Sequence, residues 1–143
     1  LLTLTLRNSM KTIVLDTNCL LAVLPSISPY HQVWTDILTG EICLCVSNEV
    51  LEEYEEILGN KTNPEIAKAV VCAILQAPKL KKVEPTFFYH MITADPDDNK
   101  FVDCAVCGNA ELLVTNDAHF DILRTIEFPK VEIIRLQEYV LRQ

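Results

Sequence analysis

Hydrophobic positions fall into short runs whose spacing alternates between strand-like and helix-like, with polar or proline punctuation between them. Thr12 to Leu15 reads as a short buried strand that stops at Asp16, and Asn18 to Leu24 as a helix closed by Pro25. Tyr30 to Leu38 has helical spacing, Gly40 stops it, and Ile42 to Val46 forms a second strand. Ser47 or Asn48 caps the next helix, where Val50, Leu51, Tyr54, Ile57 and Leu58 share one buried face until Gly59-Asn60 ends it. Pro64 opens a helix that runs to about Gln76 and is closed by Pro78, with a third strand at Leu80 to Val83. Phe87 to Ile92 is apolar without a decisive period. It leads into the polar turn Ala94 to Lys100, which caps a helix from about Asp98 to Asn109. Leu112 to Val114 is a further buried strand, Phe120 to Leu123 a helical turn, Val131 to Ile134 a last strand and Leu136 to Leu141 a closing helix.

Strands alternating with helices predict an α/β fold with three α/β/α layers around a central, mainly parallel sheet of four to five strands. A chain of 143 residues, half of them hydrophobic, supplies one core rather than two. The expected domain is residues 10–143, with 1–9 as an N-terminal extension, because Leu1 to Ser9 carry no pattern matched later. The longest apolar run, Cys19 to Leu24, is far short of a membrane span, so no membrane association and a cytoplasmic location are expected.

The six cysteines lie within apolar segments and are expected as buried thiols rather than a disulfide framework. Cys104-x-x-Cys107 lacks the second pair that a zinc site needs, and helical spacing puts both on or near a packed face. Trp34 and the Phe87-Phe88-Tyr89 run are likewise expected in the core. The net charge of −8 opposes general attraction to nucleic acid, unless carboxylates cluster around divalent cations that invert the local field. Lys79, Lys81, Lys82, Arg124, Lys130 and Arg135 are segregated from the acidic stretch Glu49 to Glu56.

Three strands end in polar or acidic residues: Asp16-Thr17-Asn18, Ser47-Asn48-Glu49 and Thr115-Asn116-Asp117. Open parallel sheets bind ligands at the carboxyl ends of their strands, and the Asp95 to Asn99 turn adds more acid. Carboxylates gathered there repel one another without cations, and hard oxygen donors without a histidine cluster select Mg2+ or Mn2+ over zinc. At 3.6 residues per turn, Glu53 lies beside the core direction while Glu52 and Glu56 face solvent. Asp98 lies near the faces of Phe101, Val102 and Ala105, and Asp103 projects elsewhere; Asp97 and Asn99 compete closely with Asp98. Taken singly, Asp16, Asp98 and Asp117 read as helix or turn caps and Glu53 as a boundary residue. His119 reads as a rim residue or a carbonyl cap.

The segments Thr12 to Asn18, Ser47 to Tyr54, Asp95 to Phe101 and Leu113 to Asp117 resemble, in order and spacing, the four motifs of the PIN-domain nucleases from about Met10 to Leu136. The Asp-Pro-Asp-Asp form is similar to VapC-like toxin components of toxin–antitoxin pairs. The resemblance implies a metal-dependent ribonuclease, an endoribonuclease, with Asp16, Glu53, Asp98 and Asp117 catalytic. Asp16, Asp98 and Asp117 would ligate one or two Mg2+ or Mn2+ ions, and Glu53 would be a ligand or orient the nucleophile. Thr17, Asn18, Thr115 and Asn116 would support them. It also implies RNA as substrate, an antitoxin partner and a homodimer. Two alternatives remain open: a PIN-like scaffold that binds RNA or protein without cutting it, and a haloacid-dehalogenase-like phosphatase. The second is disfavoured because Asp16-Thr17-Asn18 departs from its Asp-x-Asp pattern.

Overall fold

Successive residues of a strand face opposite sides of its sheet, yet Ile13, Val14 and Leu15 of β1 (Thr12–Leu15) are all 0% exposed, so both faces of the sheet are covered here. The computed structural model describes residues 11–143; the expected extension 1–9 lies outside the described residues. After β1 come α1 (Thr17–Val23), α2 (His31–Thr39), β2 (Cys43–Val46), α3 (Asn48–Lys61), α4 (Pro64–Leu75) and β3 (Lys81–Lys82). They are followed by α5 (Asn99–Cys107), β4 (Leu112–Val114), β5 (Ile133–Ile134) and α6 (Leu136–Leu141). Two 3-10 segments, Pro96–Asp98 and Ala118–Thr125, precede α5 and follow β4.

All five strands are parallel, in the order β3-β2-β1-β4-β5. The chain builds outward from β1 in one direction through β3, then crosses back to β4 and builds the other way. The carboxyl ends of β1 and β4 therefore flank the point where the winding reverses, which is where parallel α/β sheets leave a crevice. The ladder runs into this edge: the amide of Asp16 donates to the Val114 carbonyl at 3.0 Å, and that of Thr115 to the Ile134 carbonyl at 3.0 Å.

The predicted helices are present, with shifted ends. Gly59-Asn60 does not stop α3, which continues to Lys61; Gly59 faces Ala67 of α4, and Thr62 closes the helix through a hydrogen bond from its hydroxyl to the Leu58 carbonyl at 2.5 Å. The outer strands are shorter than expected, two residues each, because they pair on one side only. Trp34 is in the core. Phe87 and Phe88 are not: they are 65% and 50% exposed, in a segment with no regular structure. That segment is held down by polar contacts instead. The Asn99 side chain accepts from the Ile92 amide at 2.8 Å and donates to its carbonyl at 2.9 Å, and Asp103 accepts from the Tyr89 amide at 3.1 Å. All six cysteines are free; Cys19, Cys45 and Cys104 are buried, whereas Cys72 and Cys107 are exposed, contrary to expectation. Among the described residues no helix is long and apolar enough to cross a membrane.

Tyr54, wholly buried, donates its hydroxyl to the Leu15 carbonyl at 2.6 Å and so ties α3 to the end of β1. Tyr54→Phe is expected to destabilise the fold by about 1–2 kcal/mol, because it removes one buried hydrogen bond without opening a cavity. Urea unfolding measures this, and a change below about 0.3 kcal/mol would show that the bond does not hold the helix.

Candidate metal centre

β1 delivers Asp16 directly to the crevice. Its backbone is extended, as at a helix N-cap, yet its carboxylate does not cap α1. Oδ2 instead accepts the Thr115 hydroxyl at 2.8 Å, joining the ends of β1 and β4. Burial raises the Asp16 pKa, and Asp117 and Glu53 add to that; the Thr115 hydroxyl and the Thr17 amide oppose it. Thr115 is wholly buried, and its hydroxyl also accepts the Asp117 amide at 3.0 Å. Asp117 has a split role: Oδ1 accepts the His119 amide at 2.9 Å, so it does cap the following 3-10 segment.

Asp98 is separated from its neighbours by the geometry of the Pro96–Asp98 turn. The capping residue of that turn is Asp95, which accepts the Asp97 amide at 3.2 Å. Asp97 is exposed, and Asn99 is committed to Ile92. Asp98 is left facing the cluster, and its Oδ2 is the one buried side-chain polar atom among the described residues without a hydrogen-bond partner. His119 Nδ1 stands 3.5 Å from it and 3.5 Å from Asp117 Oδ1, an electrostatic contact rather than a well-formed hydrogen bond. Burial pushes the Asp98 pKa up to about 6, with Asp95, Asp117 and Asp16 adding to the rise and His119 opposing it.

Glu53 occupies the other side. As the helical phase predicts, it is half-buried while Glu52 and Glu56 are exposed. It accepts the Thr17 hydroxyl through one oxygen and the Lys100 ammonium through the other, at 3.0 Å. Glu53 is thus charge-balanced by the protein, whereas Asp16, Asp98 and Asp117 are not.

The expected site residues therefore divide. Asp16, Asp98, Asp117 and Thr115 meet at the crevice, with Glu53 and Thr17 beside them. Asn18 is exposed without a side-chain hydrogen bond, and Asn116 is exposed and accepts the Leu136 amide at 3.0 Å. Two contributors, His119 as a candidate ligand and Arg135, were not anticipated, and Asp95 was expected only as part of an acidic turn. Asp95, Asp98 and His119 can each offer one ligand atom, and these atoms lie within 4.8 Å of one another. The only sequence signal for His119 is its place two residues after Asp117. Arg135, at the end of β5, donates to the carbonyls of Thr115 and Asp117 at 3.3 and 3.4 Å and to Asp121 at 2.7 Å. It clamps the loop carrying Asp117 from behind, and nothing in its sequence context marks it.

An orphaned buried carboxylate oxygen in an acidic cluster, where burial first and neighbouring carboxylates second raise the pKa values of Asp16 and Asp98, fits a hard divalent cation, for which oxygen donors are preferred. Asp95, Asp98 and His119 bring one ligand atom each within 4.8 Å of one another, and Asp16 and Asp117 stand close enough to bear on the Asp98 charge. The family model described as PIN domain matches residues 12–119, most of the chain. The chain belongs to the PIN-domain family. Comparison with curated proteins finds no match. Among solved structures, this PIN domain is similar to a chain of the VapBC2 complex from Rickettsia felis bound to a DNA fragment from its promoter (TM-score 0.59, 19% identity, covering 87% of this chain and 98% of that one). It is also similar to a chain of DNA-bound VapBC from Salmonella typhimurium (0.58, 18%, 89% and 99%). A third neighbour is the PIN domain endonuclease Utp24 (0.52, 19%, 87% and 84%). At these identities the likeness establishes the fold, and it confirms the expected parallel PIN architecture.

Two outcomes follow for the metal-free PIN domain. The Asp98 pKa is raised from its ordinary 3.8, so its contribution to stability is fully present below about pH 4 and is lost as pH rises through about 6. Asp98→Asn should therefore stabilise the metal-free protein at pH 7, on the order of 1 kcal/mol once solvent screening is counted, and should remove the rise in Tm caused by Mg2+ or Mn2+. A lower metal-free Tm for the variant at pH 7 would contradict the orphan-carboxylate reading. Arg135→Met should weaken metal binding roughly tenfold with partial rescue by Arg135→Lys, since supports behind a ligand carry that order of effect; unchanged metal titrations by Tm shift would remove Arg135 from the site.

Proposed function

We propose that the protein is a metal-dependent endoribonuclease, the toxin component of a toxin–antitoxin pair, that hydrolyses RNA phosphodiester bonds. The observation that carries this reading is the unpartnered Asp98 Oδ2 at the crevice between β1 and β4, facing an acidic cluster that the protein itself leaves unneutralised. The family match and the VapBC and Utp24 neighbours support the same class.

Asp16, Asp98 and Asp117 would hold Mg2+ or Mn2+. The bound cation would supply charge for the phosphate and lower the pKa of water. The chain's own residues do the rest. The Thr115 hydroxyl and the Thr17 amide fix the Asp16 carboxylate in place at the crevice. Glu53, steadied by Thr17 and Lys100, is a carboxylate whose orientation is set before substrate arrives; it orients the attacking water and accepts its proton. His119, half-exposed at the mouth, stands 3.5 Å from both Asp98 and Asp117. Products carry a 5′-phosphate and a 3′-hydroxyl. The net charge of −8 is compatible with a polyanionic substrate because part of it is concentrated where cations would bind. An antitoxin is the partner this reading assigns.

Purified protein should cleave total RNA with Mg2+ or Mn2+, lose activity in EDTA, and lose at least about 100-fold with Asp16→Asn, the order expected for a group that stabilises transition-state charge. Cleavage that persists in EDTA, or an Asp16→Asn variant as active as wild type, would overturn the proposal.

A further inference from the structure

Beside the acidic cluster, a groove runs between the start of α3 and the segment 84–92, and Lys100 belongs to both. Its inner part is lined by Ser47, Glu49, Glu84, Phe88, Lys100 and Asp103. Beyond Phe88 it opens towards His90 and Asp97. Three chemistries stand in order along it. Lys100 presents an ammonium next to the cluster, 3.0 Å from Glu53. Phe88 offers a half-exposed aromatic face where the apolar sequence would have placed a core residue. Asp103 is 5% exposed; one oxygen accepts the Tyr89 amide at 3.1 Å, and the other has no protein donor among the described residues, yet it is not sealed from solvent. The first turn of α3 adds free amides, since the Ser47 hydroxyl serves only that of Val50.

A simple anion would be repelled by Glu49, Glu84 and Asp103. A simple cation would leave the free amides at the start of α3 without an acceptor, since Lys100 already has Glu53 as its counterpart. A nucleotide meets all of them: its phosphate lies towards Lys100, its base stacks on Phe88, and its edge donates to Asp103. We infer that this groove is a nucleotide subsite for the RNA residue adjoining the scissile bond. It selects a base with N–H donors on its Watson–Crick edge, guanine foremost, because guanine N1–H and N2–H are adjacent and can both be directed at the free Asp103 oxygen, while uracil offers one donor between two acceptors. The inference rests on the ribonuclease reading, and the flanking carboxylates enforce its polarity by keeping phosphates out of the inner pocket.

The test is titration of the protein in EDTA with each of the four nucleoside 5′-monophosphates, followed through the backbone amide resonances of residues 84–103. GMP should shift Tyr89, Lys100 and Asp103 and saturate at a concentration about tenfold lower than UMP, and Phe88→Ala should weaken binding of all four about tenfold, as loss of a stacking ring does. Asp103→Asn retains an acceptor for the Tyr89 amide but turns the free oxygen into a donor, so the preference for GMP over UMP should vanish. If that variant does not fold, Phe88→Ala, at an exposed position, decides. Equal binding of all four nucleotides, or shifts confined to other residues, would overturn the inference. So would hexa-arginine moving these amides where GMP does not, which would assign the groove to a basic protein segment. RNA cleavage with Mn2+, measured in parallel, separates the two readings. Cleavage without base preference leaves the nuclease and removes the subsite; guanine binding with no cleavage does the reverse.

Discussion

The hydrogen bond from the Thr115 hydroxyl to Asp16 Oδ2 joins residues 99 positions apart, and the site is arranged around it. It exists because β1 and β4 are neighbours in register, Leu15 opposite Val114, so that the next residue on each strand reaches the same crevice. The same hydroxyl accepts the Asp117 amide, which places the third carboxylate. Tyr54 fastens α3 to the carbonyl of Leu15, and that brings Glu53 alongside. Asp16, Thr115, Asp117 and Glu53, from three segments, are thus located by backbone pairing and three short polar contacts.

Bringing carboxylates together costs free energy, and the protein offsets only part of that cost. Lys100 and Thr17 balance Glu53. Asp16 keeps one hydroxyl donor and Asp117 one backbone amide. Asp98 keeps a buried oxygen with no well-formed hydrogen bond, His119 standing 3.5 Å away, and burial pushes its pKa up to about 6. This unequal treatment is the basis for separating a cation-holding set, Asp16, Asp98 and Asp117, from Glu53, which is already paired. Arg135 belongs to the same scheme although it touches no carboxylate of the cluster: it fixes the carbonyls of the loop from which Asp117 projects.

The fold was legible where the signal is local. The buried runs of β1, β2 and β4, the caps and prolines, and acids placed directly after strands predict a parallel sheet with a site at its carboxyl edge. The helical phase of α3 separates Glu53 from Glu52 and Glu56 before any coordinates are known. What was hidden depends on contacts between distant segments. Asp98, Asp97 and Asn99 are equivalent by composition, and the choice among them is made by Asn99 gripping Ile92 and by the tight 3-10 turn. Phe87 and Phe88 look like core residues, but the segment just after them is pinned by polar contacts at Tyr89 and Ile92 and the rings remain outside. His119 and Arg135 enter only because the chain returns to the crevice after β4 and β5.

The most direct test is an anomalous-scattering map from crystals grown with Mn2+. A peak bonded to Asp98 Oδ2 and shared with Asp16 and Asp117 is expected, with the Lys100–Glu53 pair intact. A peak at Glu53 with Lys100 displaced, or no peak at a saturating concentration of the ion, would contradict that assignment.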